Sequence, residues 1–67
     1  MLIKKSITIK KHRTSLSLEK EFWDALKIVA KEHKCSIETL ITKIDSTRKA
    51  TLASSIRVYL LKFHMKV

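Results

Sequence analysis

Hydrophobic and polar residues alternate near the N-terminus, which is the pattern of β-strands that bury one face. Residues 6–10 (SITIK) are rich in β-branched side chains, and residues 13–18 (RTSLSL) alternate again. The second run predicts an apolar face and a polar face, formed respectively by Thr14, Leu16 and Leu18, and by Arg13, Ser15 and Ser17. Residues 1–11 are expected to form either a basic arm or an extra strand. A hairpin between the two runs would turn at residues 10–12, although a tight turn there favours Asn or Gly.

The hydrophobic period then lengthens to about three and a half residues, which predicts amphipathic helices after the ribbon strand at residues 12–18. The helices are expected at residues 20–33, 36–46 and 51–64, and Ser36 is a suitable N-cap for the second. The segment between the last two helices has the sequence STRKAT (46–51), and it leaves open whether these helices are separate. The core positions of the three helices are expected to be Phe22, Leu26, Val29 and Ala30, then Ile37, Leu40, Ile41 and Ile44, then Leu52, Ile56, Tyr59, Leu60 and Phe63.

The chain is short for a domain that must be stabilised by its own hydrophobic core. A domain of 67 residues usually needs a disulfide, a metal or oligomerisation to be stable. Cys35 is the only cysteine, which excludes an intrachain disulfide, and the three histidines are too far apart in sequence to suggest a metal site. A lone strand also needs a partner strand. We therefore expect a homodimer with an antiparallel intermolecular ribbon, whose core contains Thr14, Leu16, Leu18, Phe22, Leu26, Leu40, Ile41 and Ile44.

The charge of the chain points to a polyanionic partner. The formal net charge is +9, and residues 1–18 contain five lysines and arginines and no acidic residue. Such an arm suits nucleic acid or an anionic membrane surface, although lysines can also serve only solubility. A membrane-surface helix is disfavoured, because the basic charge is concentrated on the strand. No apolar run has the length of a membrane span or of a signal peptide core, so a cytoplasmic location is expected.

A two-stranded ribbon fits the major groove of B-DNA, where serine hydroxyls and arginine can contact base edges. The polar strand face therefore predicts base contacts by Arg13, Ser15 and Ser17; alternatively, these side chains only solvate a sheet face. The free N–H groups at the start of the second helix suit a phosphate, unless Ser36 serves as a cap alone. Basic side chains around the strand and the interhelical turn are expected to hold phosphates: Lys4, Lys5, Lys10, Lys11, His12 and Lys34.

The strand RTSLSL, the helix opening EKEFWDALKIVAKEH (19–33) and the turn KCS (34–36) followed by IETLI together resemble the ribbon-helix-helix family of dimeric DNA-binding proteins. This family includes Arc-type repressors and many antitoxin and plasmid copy-control regulators, and the chain is similar to a small bacterial and phage branch. The resemblance covers roughly residues 12–45. It implies base contacts by the outward strand residues, and phosphate contacts by Cys35, Ser36 and Ile37. One departure is Lys34, which occupies a position where the family often has glycine.

Together these features predict a mostly α ribbon-helix-helix fold with a short N-terminal strand and an extra C-terminal helix. The expected function is sequence-specific DNA binding by a homodimer, as a transcriptional repressor, with higher-order assembly on tandem half-sites implied by the resemblance. No cofactor, metal or enzymatic activity is expected. The alternative is an antitoxin-like or phage-encoded inhibitor whose third helix, with VYLLKF (58–63), binds a protein partner. Trp23 is expected to lie in the core or the dimer interface. Asp45 and Arg48 are expected to form an ion pair, and the charges of Arg57 and Lys62 are expected to be solvated.

Overall fold

A β-hairpin followed by three helices makes up residues 1–65, the part of the chain that the computed structural model describes. The strands are β1 (Leu2–Ile9) and β2 (His12–Glu19), and the helices are α1 (Lys20–Glu32), α2 (Ile37–Thr47) and α3 (Leu52–Met65). The mostly α class with an N-terminal β-element and an additional C-terminal helix is confirmed, whereas the intermolecular ribbon of a homodimer stays a prediction. The first eleven residues contribute an extra strand and not an arm, and α2 and α3 are separate helices.

The hairpin forms within a single chain, around a two-residue turn. The strands pair antiparallel from Leu2 opposite Glu19 to Ile9 opposite His12. Lys10 and Lys11 occupy the turn with φ angles of 51° and 69°. Both angles are positive, as the favoured two-residue hairpin turn requires. Two lysines therefore adopt the conformation for which Asn-Gly would be the usual sequence.

A single chain buries most of the core that the sequence assigned to a dimer. The inner face of the hairpin contributes four buried side chains, and the helices supply the others: Ile7, Ile9, Leu16 and Leu18 with Trp23, Leu26, Val29, Ala30, Leu40, Ile41, Ile44, Ile56 and Leu60. β1 and α3 provide the cover that the sequence interpretation assigned to a second copy. Phe22 is half-buried, and Thr14 is exposed beside an open groove between β2 and the start of α3.

The connection between α1 and α2 accommodates lysine at the position of the expected glycine. Lys34 has a φ of 55°, in the left-handed region. Its N–H donates to the carbonyl of Lys31 at 3.1 Å, and the N–H of Cys35 donates to the carbonyl of Ala30 at 3.0 Å. These two bonds form the Schellman motif that ends a helix. Ser36 then caps α2, because its hydroxyl accepts the N–H of Thr39 at 3.0 Å.

Two side chains tie the hairpin to the helices. Trp23 is buried as expected, and its Nε1–H donates to the carbonyl of Ile3 at 2.9 Å. Arg57 of α3 forms an ion pair with Glu19 at 2.9 Å, and its guanidinium lies 5.6 Å from the centroid of the Phe22 ring. The interpretation of Arg57 as a solvated charge is therefore wrong. This arginine is half-buried and fixes α3 to the end of β2.

Candidate nucleic-acid interface

The outer face of the hairpin, which points away from the helices, is polar from the turn to Lys4 and Ser17; the next pair, Leu2 and Glu19, lies beyond it at the open end of the strands. Directly opposite residues of antiparallel strands project to the same side of the sheet. The register thus places Arg13, Ser15 and Ser17 of β2 beside Thr8, Ser6 and Lys4 of β1. We call these six residues the outer face. All are exposed except the half-buried Ser17, and none carries a carboxylate.

The structure therefore gathers the three predicted base-contacting residues on one surface and adds three from β1. Ser6 and Thr8 were missed as candidates from the sequence, although the alternation in SITIK placed them on one face of a strand. Arg13 Nε donates to Ser6 Oγ at 3.5 Å, which joins the two strands at this surface. Hydroxyl and guanidinium groups of this kind can donate to the acceptors at base edges.

The two edges of the hairpin differ in how far they are covered. Because the turn makes Ile9 and His12 a hydrogen-bonded pair, the backbone groups of every second residue point away from the partner strand. On β2 these outward groups belong to Arg13, Ser15 and Ser17, and the sheet within residues 1–65 has no third strand to pair with them.

On β1 the corresponding N–H of Thr8 donates to Glu38 Oε2 of α2 at 2.7 Å. The first turn of α2 therefore covers part of the β1 edge. The β2 edge keeps its donors and acceptors available for another strand, and such an open edge favours pairing with a second chain.

Basic side chains lie at both ends of the outer face, but not all the predicted phosphate contacts join it. Lys10, Lys11 and His12 are exposed at the turn, and Lys10 Nζ lies 3.9 Å from Asp45 Oδ2. Lys4 lies toward the other end of the strands. Lys5 projects to the opposite side, since its Nζ is 5.1 Å from the centroid of the buried Trp23 ring.

The N-terminus of α2 lies beside β1, as the bond between Thr8 and Glu38 shows. Lys34 and Ser36 are exposed there, whereas Ile37 is half-buried against the core. The Ser36 hydroxyl already accepts the Thr39 N–H and donates to Thr39 Oγ1 at 2.9 Å. Capping is therefore its role within the chain, and a phosphate contact stays a prediction.

Acidic groups at the base of the hairpin are neutralised by paired cations. The pKa of Glu19 is lowered, first by its own backbone N–H and then by the hydrogen bond from Arg57. The pKa of Asp24 is lowered chiefly by the hydrogen bond from Lys20, at 2.7 Å. Near the other end of the hairpin, the predicted ion pair of Asp45 with Arg48 is present at 2.6 Å. Of the basic residues on the outer face and turn, only Lys10 lies near a carboxylate, that of Asp45; Lys4, Lys11 and Arg13 form no ion pair within residues 1–65.

A family model described as a ribbon-helix-helix domain matches residues 2–63. The chain belongs to the ribbon-helix-helix family. The match extends beyond residues 12–45 and includes β1 and most of α3, so the family model itself covers both of these elements. Members are typically DNA-binding transcription regulators that dimerise, and they are generally not enzymes.

No curated protein and no solved structure matches the chain. Within residues 1–65, no group of three or more His, Cys, Asp and Glu side chains is arranged to hold a metal ion. The helices of this ribbon-helix-helix protein, over the same residues, are all too short or too polar to cross a membrane.

Proposed function

We propose that this ribbon-helix-helix protein is a sequence-specific, dimeric, cytoplasmic DNA-binding protein that acts as a transcriptional repressor. The observation that carries the proposal is the outer face, which combines short hydroxyl side chains with Arg13 and Lys4 on an exposed ribbon. Short side chains suffice on such a ribbon, because its backbone lies deep in the major groove. Repression then requires only that the bound protein cover its site.

Dimerisation through the β2 edges would complete the DNA-binding surface. Two copies that pair these edges form a four-stranded sheet with β2 at the centre and β1 at each side. The outer face is then repeated by the second copy, and Arg13, Ser15 and Ser17 of both copies lie together. The uncovered backbone groups of β2 support this arrangement over pairing through β1, whose edge is partly occupied by Glu38.

The dimensions of this sheet assign different roles to its strands. Neighbouring strands lie about 4.8 Å apart, so the two β1 strands would be separated by about 14 Å. The major groove is about 12 Å wide. The two β2 strands therefore fit inside the groove, and the β1 strands lie against its phosphate walls. Lys4 is suited to a phosphate at this position, and Lys10, Lys11 and His12 reach the backbone from the turn.

Selection of duplexes from a random pool, at near-physiological salt, tests sequence-specific binding. We expect a short motif for the unmodified protein. Arg13→Ala or Ser15→Ala should each reduce the discrimination between selected and random duplexes by about 1–3 kcal/mol. Ser54→Ala removes an exposed hydroxyl of α3 and serves as the control. If the strand variants keep the discrimination of the unmodified protein, the ribbon does not contact bases.

The turn lysines offer a test that separates DNA binding from folding. The double variant Lys10→Asn/Lys11→Gly has the preferred sequence for this turn, so its hairpin should be at least as stable. It should nevertheless bind every duplex more weakly. For a dimer that loses four phosphate contacts, the slope of log affinity against log salt should fall by up to about 3.6. An unchanged slope would show that the turn lies away from DNA.

A second candidate function is a protein-interaction module, in which the same fold binds a protein partner. It is favoured by the apolar side chains that α3 leaves exposed: Val58, Leu61 and Met65 are 48%, 59% and 73% exposed. Failure to bind any duplex, together with formation of a stable complex with a protein, would favour this function.

A further inference from the structure

A groove of about 620 Å³ lies between α2 and α3, outside the proposed DNA interface. Its floor is apolar, formed by Leu40 and Ile44 of α2 and by Val58 and Tyr59 of α3. None of the residues that line it belongs to the hairpin. A molecule bound in this groove would therefore leave the outer face free for DNA.

The rim of the groove carries only positive charge. Lys43 of α2 and Lys62 of α3 flank it, and Lys49 lies in the connection between these helices. These three lysines form no ion pair within the described part of the chain. Arg48 is already held by Asp45 and by the carbonyl of Ala50 at 2.7 Å. Among residues 1–65, no carboxylate side chain lines the groove.

We propose that the α2–α3 groove binds an acidic amphipathic helix of another protein. An amphipathic helix docks by placing apolar side chains at positions i, i+3, i+4 and i+7 into a hydrophobic groove. Packed beside α2 and α3, such a helix would rest its apolar side chains on the floor around Val58 and Tyr59. Its Asp and Glu side chains would flank this contact and meet Lys43 and Lys62.

Charge selects this occupant over two others. A second copy of the chain carries the same net charge of +9, and its α3, with Arg57 and Lys62, has no acidic residue between residues 52 and 65. Like charges across an interface oppose association. Nucleic acid would match the lysines but not the floor, because phosphates gain nothing from contact with leucine and isoleucine side chains. An acidic amphipathic helix satisfies both parts of the groove.

The test uses fluorescently labelled synthetic helices and the intact protein. One peptide carries leucines at i, i+4 and i+7 with glutamates between them, and its partner has lysine in place of each glutamate. The acidic peptide should bind in fluorescence anisotropy, and the basic peptide should not. Lys43→Glu/Lys62→Glu should weaken binding at least about tenfold, since two attractive contacts become repulsive.

A matched control keeps the total charge equal. Lys27→Glu/Lys31→Glu reverses two exposed charges of α1 that do not line the groove, and it should bind the acidic peptide as the unmodified protein does. Val58→Ser tests whether the peptide contacts the apolar floor of the groove. Because the Val58 side chain is 48% exposed, the fold should persist in this variant. Circular dichroism verifies that each variant has the unmodified helix content.

Several outcomes would overturn the proposal. They include equal binding of both peptides, equal weakening by the two charge-reversed variants, and displacement of the acidic peptide by a DNA duplex. Self-association of the unmodified protein in sedimentation that disappears specifically in the groove variants would identify a second copy as the occupant. The proposal does not depend on the proposed function: a protein that binds the acidic peptide but no duplex refutes DNA binding alone.

Discussion

Leu18→Ala tests whether the inner face of β2 belongs to the buried core while the outer side of α3 does not. Leu18 lies on the inner face of β2 with none of its surface exposed, among the buried side chains that β1 and the helices enclose. Truncation of such a leucine removes buried methyl groups and leaves a cavity, which costs about 2–5 kcal/mol. At 0.05–0.15 kcal/mol per residue, a domain of this length has a free energy of unfolding of about 3–10 kcal/mol. The substitution should therefore remove about half of the stability.

Urea unfolding followed by far-ultraviolet circular dichroism measures this loss. We expect a large decrease in the midpoint with an unchanged slope, because the surface exposed on unfolding is nearly the same. Leu61→Ala is the control, since this side chain of α3 is 59% exposed and its loss should change stability by no more than about 0.5 kcal/mol. Equal costs for the two substitutions would refute the reasoning, because Leu61 would then be as buried in solution as Leu18.

Two further substitutions test local features of the fold. Lys34→Gly should raise the free energy of unfolding by about 0.5–1 kcal/mol in the same urea experiment, because glycine adopts the left-handed conformation without strain; Lys34→Ala, which retains a Cβ, should give no such gain. The Glu19 pKa is lowered in the folded chain, so the stabilisation it provides is complete above its ordinary value of 4.5 and is lost as pH falls through the folded-state pKa. Glu19→Gln should accordingly destabilise the protein at neutral pH and not at strongly acidic pH, and a difference from the unmodified protein that does not change with pH would contradict the role of this carboxylate.

Lys5 and Arg57 show how far charged positions could be assigned from sequence. Charge alone predicts a phosphate contact for Lys5 and a solvated side chain for Arg57. The hairpin register turns Lys5 toward Trp23, and the packing of α3 brings Arg57 to Glu19, 38 positions earlier in the chain. Charge patterns predict that a side chain prefers water or a counterion, but they do not contain the distance to a counterion on another element.

The sequence by itself determined the two faces of β2 and the beginning of α2. A strand alternates its side chains with a period of two whatever lies beside it, so the separation of Leu16 and Leu18 from Ser15 and Ser17 required no tertiary information. The Ser36 cap is equally local, because its bond reaches an N–H only three positions away.

Only the tertiary structure decided what lies beside these elements. The turn sequence disfavoured a hairpin, yet Lys10 and Lys11 adopt positive φ angles, and burial of Ile7 and Ile9 on the inner face offsets the local cost. The same closure joins Ser6 and Thr8 to the polar face of β2, and the docking of α3 on α2 forms the cation-lined groove. Strand pairing and helix docking depend on contacts between distant segments, whereas hydrophobic periodicity records only the preference of each segment for burial.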